Sequence, residues 1–273
     1  MTIKRATADR IAWIAAFLLT IIYLLPLAWV ALGAFKTRAE MFAVSAALFP
    51  SQLNLDNFRQ VLTNSPTLWN SIIISTVSTA LVLLLALPAA YAFARFKLRW
   101  GSDLQFWILS TRMMPPIAVI IPLFVIFQNL RLFDTRLGMI LAYTAFNLPF
   151  AVWMLVAAFR QVPLEIEEAA RVDGSNLFQT IVLIAIPLAR SGVAVAAIFA
   201  FIWAWNDLLF GLVLTASAAK TFPVSLSEYT GQVNIQWELM AATSVIQALP
   251  VLLLTFLVQR HIVTGLTFGG VEK

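Results

Sequence analysis

The 273-residue chain is 61% hydrophobic and only 11% charged, and its mean hydropathy of +0.89 excludes a soluble globular domain and requires an integral membrane protein. It contains no cysteine, so disulfides, thiol catalysis and thiolate metal sites are excluded. A net charge of +5 in such a chain reads as membrane orientation, with lipid as the surrounding partner and no nucleic acid.

The expected fold is all-α, with six transmembrane helices and a surface elbow between the fourth and fifth. Residues 1–10 form a short basic tail with Lys4, Arg5 and Arg10. Residues 11–33 are a continuous apolar run long enough to span a bilayer. The run exceeds the core of a signal peptide and lacks a small-residue cleavage site after Gly33, so it reads as a retained first span. Residues 34–68 are the longest polar stretch, an outer loop in which 55–62 suit a short surface helix capped by Asn54 or Asp56. Residues 69–262 hold five further spans: 69–94, 104–127, 138–159, 188–214 and 239–262. A basic turn with Arg95, Lys97 and Arg99 follows the second, and residues 263–273 close the chain as a tail.

Placing both termini in the cytoplasm puts eleven of the eighteen Lys and Arg residues on that side and six on the other, as the positive-inside rule requires. The elbow then faces the cytoplasm. No Gly is followed by Lys, so the chain has no phosphate-cradling loop. The one histidine, His261, lies at the end of the sixth span and reads as an interfacial polar residue. No metal cluster and no Ser-His-Asp arrangement exists, and the chain reads as a non-enzyme with no catalytic residues. Trp29, Trp69, Trp100, Trp107 and Trp237 fall near span ends, where an aromatic belt belongs. Ala86, Ala89, Ala90 and Ala94 suit close helix packing.

The elbow, residues 160–187, carries Glu165, Glu167, Glu168, Asp173 and Gly174 between apolar runs, and hydrocarbon cannot solvate such a segment. Pro163 and the acids fit the first turn of a short helix. Leu164, Ala169, Ala170 and Val172 give it a modest apolar stripe, and Gly174 permits a turn. A second helical run, 176–186, is expected to end at Pro187, giving a rigid connection to the fifth span. The spacing Glu168-Ala169-Ala170, three residues, Gly174, nine residues, Ile184, one residue, Ile186-Pro187 resembles the EAA-x3-G-x9-I-x-L-P loop of the membrane subunits of bacterial ABC importers. The one departure is Ile186 in place of Leu. The run from Arg112 to Asn206, with Met113-Met114-Pro115-Pro116, Leu132-Phe133-Asp134-Thr135 and Trp205-Asn206-Asp207, resembles the smaller, maltose-type permease of the carbohydrate-uptake branch. So does the closing GLTFGGVEK.

The resemblance implies a bacterial inner-membrane permease subunit. Its expected partners are a second, homologous permease, two copies of a cytoplasmic ATPase and an extracytoplasmic solute-binding protein. It implies no cofactor in this chain, ATP and Mg being bound by the ATPase subunits. It also implies that the elbow, through Glu167, Glu168, Ala169, Ala170, Asp173 and Gly174, docks on the ATPase, and that Glu168 makes a charged contact there.

Polar groups within the spans are the substrate-path candidates for a small-molecule solute. Arg112 lies roughly 12 Å into the third span at 1.5 Å per residue, and Pro115, Pro116 and Pro122 break that helix. Trp205 beside Asn206 and Asp207 offers an aromatic face and an amide suited to a sugar or polyol; Asn147 and Gln247 are further amides. Each of these also suits an interhelical hydrogen bond or a gate contact. Arg112 and Asp207 are a candidate ion pair, although their span positions put them on different levels. Two readings stay open beside sugar import: uptake of glycerol 3-phosphate or another non-sugar solute, and a stand-alone secondary transporter. A membrane scaffold is disfavoured by the broken helices.

Overall fold

The computed structural model describes residues 2–43, 48–63, 65–230 and 235–267; the His261 side chain and residues 268–273 lie outside this set. The described residues are nearly all helical, with a single β-bridge between Thr230 and Ile235. In chain order the helices are α1 Thr2–Gly33, α2 Arg38–Met41, α3 Asp56–Thr63, α4 Pro66–Arg95, α5 Gly101–Ser110, α6 Pro116–Asn129, α7 Arg136–Arg160 and α8 Leu164–Val172. They continue with α9 Leu177–Gln179, α10 Ile186–Leu188, α11 Arg190–Asn206, α12 Leu209–Leu214, α13 Phe222–Glu228 and α14 Trp237–Thr267. A 3₁₀ turn, Thr111–Met113, follows α5, and a π-helical turn, Thr180–Ala185, separates α9 from α10.

Among the described residues, four helices are long and apolar enough to cross a membrane: α1 (over Ala12–Gly33), α4, α7 and α14 (over Trp237–Leu257). The number rises to six if each of two bent pairs counts as one span. The first pair joins α5 and its 3₁₀ turn to α6 through an 89° bend. The sequence places that break at Pro115 and Pro116, and the structure does too. The second pair bends by 82° between Leu188 and Arg190. Here the expected unbroken span 188–214 is corrected. It bends at Ala189 (φ −86°, ψ 10°) and stops again at Asp207, whose backbone is extended (φ −69°, ψ 125°). Nor does Pro187 end the preceding helical run, which continues to Leu188. The basic residues at the N-terminus lie before the apolar span, which begins at Ala12, and are helical. They continue α1, because no Gly or Pro interrupts residues 2–25.

The chain divides into two compact units, residues 1–65 with 226–249, and residues 66–225 with 250–273. In the first, Asn57 Nδ2 donates to the carbonyls of Ala34 (2.9 Å) and Lys36 (2.8 Å), which fixes α3 to the end of α1. Asn54 Oδ1 accepts from Asp56 N–H at 2.8 Å, the cap expected from the sequence.

The second unit is built on α4, which packs along α7 and α11. Its inner stripe is small: Ser71, Ser75, Ser78, Val82, Ala86 and Ala90 are all buried, at helical spacing. Where lipid supplies no hydrophobic drive between helices, such a stripe lets backbones approach and gain dispersion contacts. Ala89 and Ala94 pack at its edge, so the alanine reading holds. Gly192 on α11 extends the same logic, since a Cβ there would lie 2.3 Å from Ala158 Cβ of α7.

One end of this unit is held by polar contacts that span more than 60 residues of sequence. Asp134, in the αL region at φ 55°, accepts from the N–H groups of Ala216, Ser217, Ala218 and Ala219 at 2.9–3.1 Å. Asn70 Nδ2 donates to the carbonyls of Ala218 (3.0 Å) and Lys220 (2.9 Å), while Arg136 Nε donates to Asn70 Oδ1 at 2.8 Å. Partial burial pushes the Asp134 carboxyl up, but the four backbone donors outweigh it and hold the pKa at about 2 instead of 3.8. A depressed carboxylate stabilises the fold above its unfolded value and loses that contribution as pH falls through about 2. Asp134→Ala is therefore expected to lower unfolding stability at pH 7 by roughly 1 kcal/mol, a modest figure because the loop faces water. In thermal unfolding followed by circular dichroism, the difference from wild type should shrink as pH falls from 4 towards 2; a pH-independent difference contradicts the assignment.

Candidate functional site

The elbow begins where α7 ends. Pro163 (φ −57°, ψ 131°) sits just before α8 and fixes the entry angle. Glu165 and Glu167 occupy the first turn of α8, where unpaired N–H groups and the helix dipole favour negative charge. At the far end, Asp173 N–H bonds Ala169 O, Gly174 N–H bonds Arg171 O and Ser175 N–H bonds Ala170 O. Gly174 has φ +97° with nothing within 4 Å of a Cβ built on it. Its requirement is conformational, a left-handed turn, and not one of space. The next helix then starts with a reciprocal capping box: Asn176 Oδ1 accepts from Gln179 N–H, and Gln179 Oε1 accepts from Asn176 N–H, both at 2.9 Å. The N-x-x-Q spacing was the available signal for this box.

The acids of α8 divide by direction. Glu165, Glu168 and Asp173 are exposed, whereas Glu167 is fully buried. Glu167 Oε1 accepts from Arg95 Nε (2.9 Å) and NH2 (2.7 Å), and Oε2 accepts from the Tyr91 hydroxyl at 2.7 Å. Arg95 NH2 also donates to Val162 O at 2.8 Å, and Arg171 NH2 donates to the Tyr91 hydroxyl at 3.3 Å. Tyr91 is set edge-on against Phe159, ring centroids 5.6 Å apart. Glu167 and Arg95 thus form a buried ion pair, Arg95 NH2 to Glu167 Oε1 at 2.7 Å. With every carboxylate oxygen satisfied, burial of the charge is tolerated; removing one partner alone costs about 3–5 kcal/mol. The sequence grouped Glu167 with the docking residues, but its carboxylate points into the protein. The outward face of the elbow carries Glu168, Ala169, Leu164, Ile166 and Val172, the last 88% exposed, with Ala170 half-buried. Phe178, 73% exposed on α9, extends this face and was not singled out from the sequence.

Within the spanning helices, Arg112 NH1 donates to Phe146 O (2.5 Å) and Asn147 Oδ1 (3.3 Å). Its guanidinium lies 4.2 Å from the Phe146 ring centroid and 4.5 Å from that of Trp203. It borders a largely apolar cavity of about 380 Å³ lined also by Met114, Leu123, Ala145 and Pro149. Pro149 has no N–H to bond the Ala145 carbonyl, which loosens α7 at the turn that Arg112 grips.

Asp207 is elsewhere. Its Oδ2 accepts from Phe210 N–H (2.9 Å) and the Tyr143 hydroxyl (3.0 Å), and so starts α12 as a side-chain cap. The candidate Arg112–Asp207 pair does not form, because each group meets its own partners. Trp205 is buried and stacks on Phe201 at 5.8 Å, so it belongs to the core. The half-exposed indole beside Arg112 is that of Trp203, two residues earlier. Asn206 is exposed at the end of α11, Asn147 is buried, and Gln247 is half-buried on α14 in the other compact unit. Because Arg112 and Asp207 share no partner, the losses from Arg112→Ala and Asp207→Ala are expected to add in the double variant to within about 0.5 kcal/mol. Thermal unfolding of the purified chain measures this; a coupling above about 1 kcal/mol contradicts the separate placement.

The profile of the family described as "Binding-protein-dependent transport system inner membrane component" matches residues 83–267. The sulfoquinovosyl glycerol transport system permease protein SmoH of Agrobacterium fabrum is 33% identical over 95% of this chain and 93% of its own length. The trehalose transport system permease protein SugB of Mycobacterium tuberculosis is 37% identical over 91% of this chain and 92% of its own. Among solved structures, a chain of a bacterial ABC transporter that imports the acidic polysaccharide alginate shares the fold at a TM-score of 0.77. It is 24% identical, with 93% of this chain and 97% of that one covered. On the extent of the family match and on relatives of this identity and coverage, the chain belongs to the binding-protein-dependent inner-membrane components, the permeases of ABC transporters.

Proposed function

We propose that this chain is one of two permease subunits of an ATP-driven importer for a sugar or related polyol, coupled through α8 to a cytoplasmic ATPase. The observation that carries the reading is the division of α8: its one buried acid anchors the helix, and its outward face is left uncovered. Val172 and Phe178 are large apolar groups beside Glu165, Glu168 and Asp173. Such a face, with exposed apolar and acidic groups together, suits a protein cleft that offers apolar surface and basic residues. In this reading each bent pair is one span, six spans cross the membrane, both termini are cytoplasmic, and the elbow is on the same side. ATP and Mg belong to the ATPase subunits. A homologous permease completes the path, and an extracytoplasmic binding protein delivers the solute.

The relatives named for sulfoquinovosyl glycerol and trehalose support the solute class. Arg112, Asn147 and Trp203 offer the polar and aromatic contacts along the path. A guanidinium seated between two rings, with its Nε–NH2 edge without an acceptor among the described residues, suits hydroxyl or acidic oxygens.

The test is co-purification. The tagged chain, expressed with the genes beside its own and solubilised, is expected to bring down an ATPase subunit. Glu168→Lys reverses a charge on the exposed face, and Gly174→Asp forces a Cβ into a left-handed turn. Both are expected to reduce ATPase recovery by tenfold or more, equivalent to about 1.4 kcal/mol. A chain that purifies alone and transports trehalose unaided in liposomes sinks the proposal.

A further inference from the structure

We infer that Arg95, Tyr91 and Glu167 are positioning residues that join the elbow to α4 as one rigid body, so that force reaching α8 enters the membrane through α4. The inference rests on the coupling role proposed for α8. It follows from comparing the ways in which α8 is attached.

The route through the backbone to α11 is poorly suited to carrying force. It passes the Gly174 turn, where nothing packs within 4 Å of a Cβ position. It then crosses a π-helical turn at Thr180–Ala185 and the 82° bend at Ala189. Each interrupts the regular helix, although Ala185 and Ala189 are themselves buried in the core beside α4 and α7.

The route through Glu167 stays within one continuous helix, whose one irregularity is Pro88. It leaves α8 at mid-helix, and both carboxylate oxygens are held. Arg95 is the last residue of α4, and Tyr91 lies one turn earlier on the same helix. The two donors therefore grip Glu167 from adjacent turns, which resists rotation as well as translation. Arg95 simultaneously holds Val162 O, so the connector between α7 and α8 is clamped by the same guanidinium. Arg171, on the last turn of α8, reaches back to the Tyr91 hydroxyl, giving a second point of attachment along α8. From there α4 runs unbroken for 30 residues against α7 and α11, ending beside the loop held by Asn70 and Asp134. A charged, fully hydrogen-bonded contact inside the protein has one favoured geometry, whereas an apolar contact slides.

The chain has no cysteine, so paired spin labels can be placed at Glu165→Cys, on the first turn of α8 and away from Val172, and at Leu84→Cys on α4, both exposed positions. The label distance is measured in the purified complex, nucleotide-free and trapped with ATP and vanadate. In the otherwise wild-type chain, one narrow distance, unchanged between the two states, is expected. Glu167→Gln is expected to lose that narrow distance and Tyr91→Phe to broaden it less. The exchange Arg95→Glu with Glu167→Arg is expected to recover it in part. A wild-type distance that shifts on trapping overturns the inference, as does a Glu167→Gln distance identical to wild type. If no ATPase accompanies the chain, the coupling role itself fails. The nucleotide-free comparison still decides whether the pair holds α8 to α4.

Discussion

A fully buried carboxylate must find a cation or lose its charge, and in this chain that demand fixes the geometry of the surface that faces outward. Glu167 is met by Arg95 and Tyr91 from the end of α4. Once that contact is made, the orientation of α8 about its own axis is set. Leu164, Ile166, Glu168 and Val172 then have nowhere to point but out. The Pro163 entry and the Gly174 exit accommodate this orientation without dictating it. The same residue therefore leaves the neighbouring Glu168 exposed and holds α8 against rotation about its axis.

A second demand comes from the bilayer, where every backbone and side-chain polar group must be satisfied from within the protein. The helices are broken at Pro115–Pro116, Ala189 and Asp207, and polar side chains sit next to the breaks. Arg112 grips α7 beside its Pro149 turn, and the Asp207 carboxylate supplies an acceptor to the first turn of α12. A transport path needs interrupted helices, and a membrane tolerates them only with such repairs. The half of the unit around α4 is the opposite case: a continuous helix with a serine and alanine stripe, suited to close packing and to moving as a whole.

Much of this was legible in the sequence because it depends on local spacing. The E-A-A-x3-G pattern located the elbow, the Met-Met-Pro-Pro run located the break in the third span, and alanines at helical spacing on 86–94 located the packing face. What was not legible is pairing between distant residues. Glu165, Glu167 and Glu168 differ in sequence by nothing that marks one as buried, since the partner is 72 residues away in Arg95. Asp134 sits among polar loop residues, and its four N–H donors lie more than 80 residues later. Trp205 and Trp203 are separated by a single residue, yet the first enters the core and the second faces Arg112. That choice depends on the rotation of α11 after its bend. Asp207 could have been read as a cap from its place before Leu-Leu-Phe-Gly, but an apolar run that continues to Leu214 hid the end of the helix.

In the proposed assembly the outward face of α8 touches an ATPase while its inward face is fixed to α4. Site-directed cross-linking reads that contact, because a chain without native cysteines gives no background. A reagent that is thiol-reactive at one end and photoreactive at the other, attached in membranes to Val172→Cys, is expected on illumination to yield one adduct at the summed mass of this chain and the ATPase. Leu84→Cys, exposed on the side of α4, is expected to yield none. An adduct from Leu84→Cys and none from Val172→Cys would place the ATPase elsewhere and remove the elbow from the coupling path.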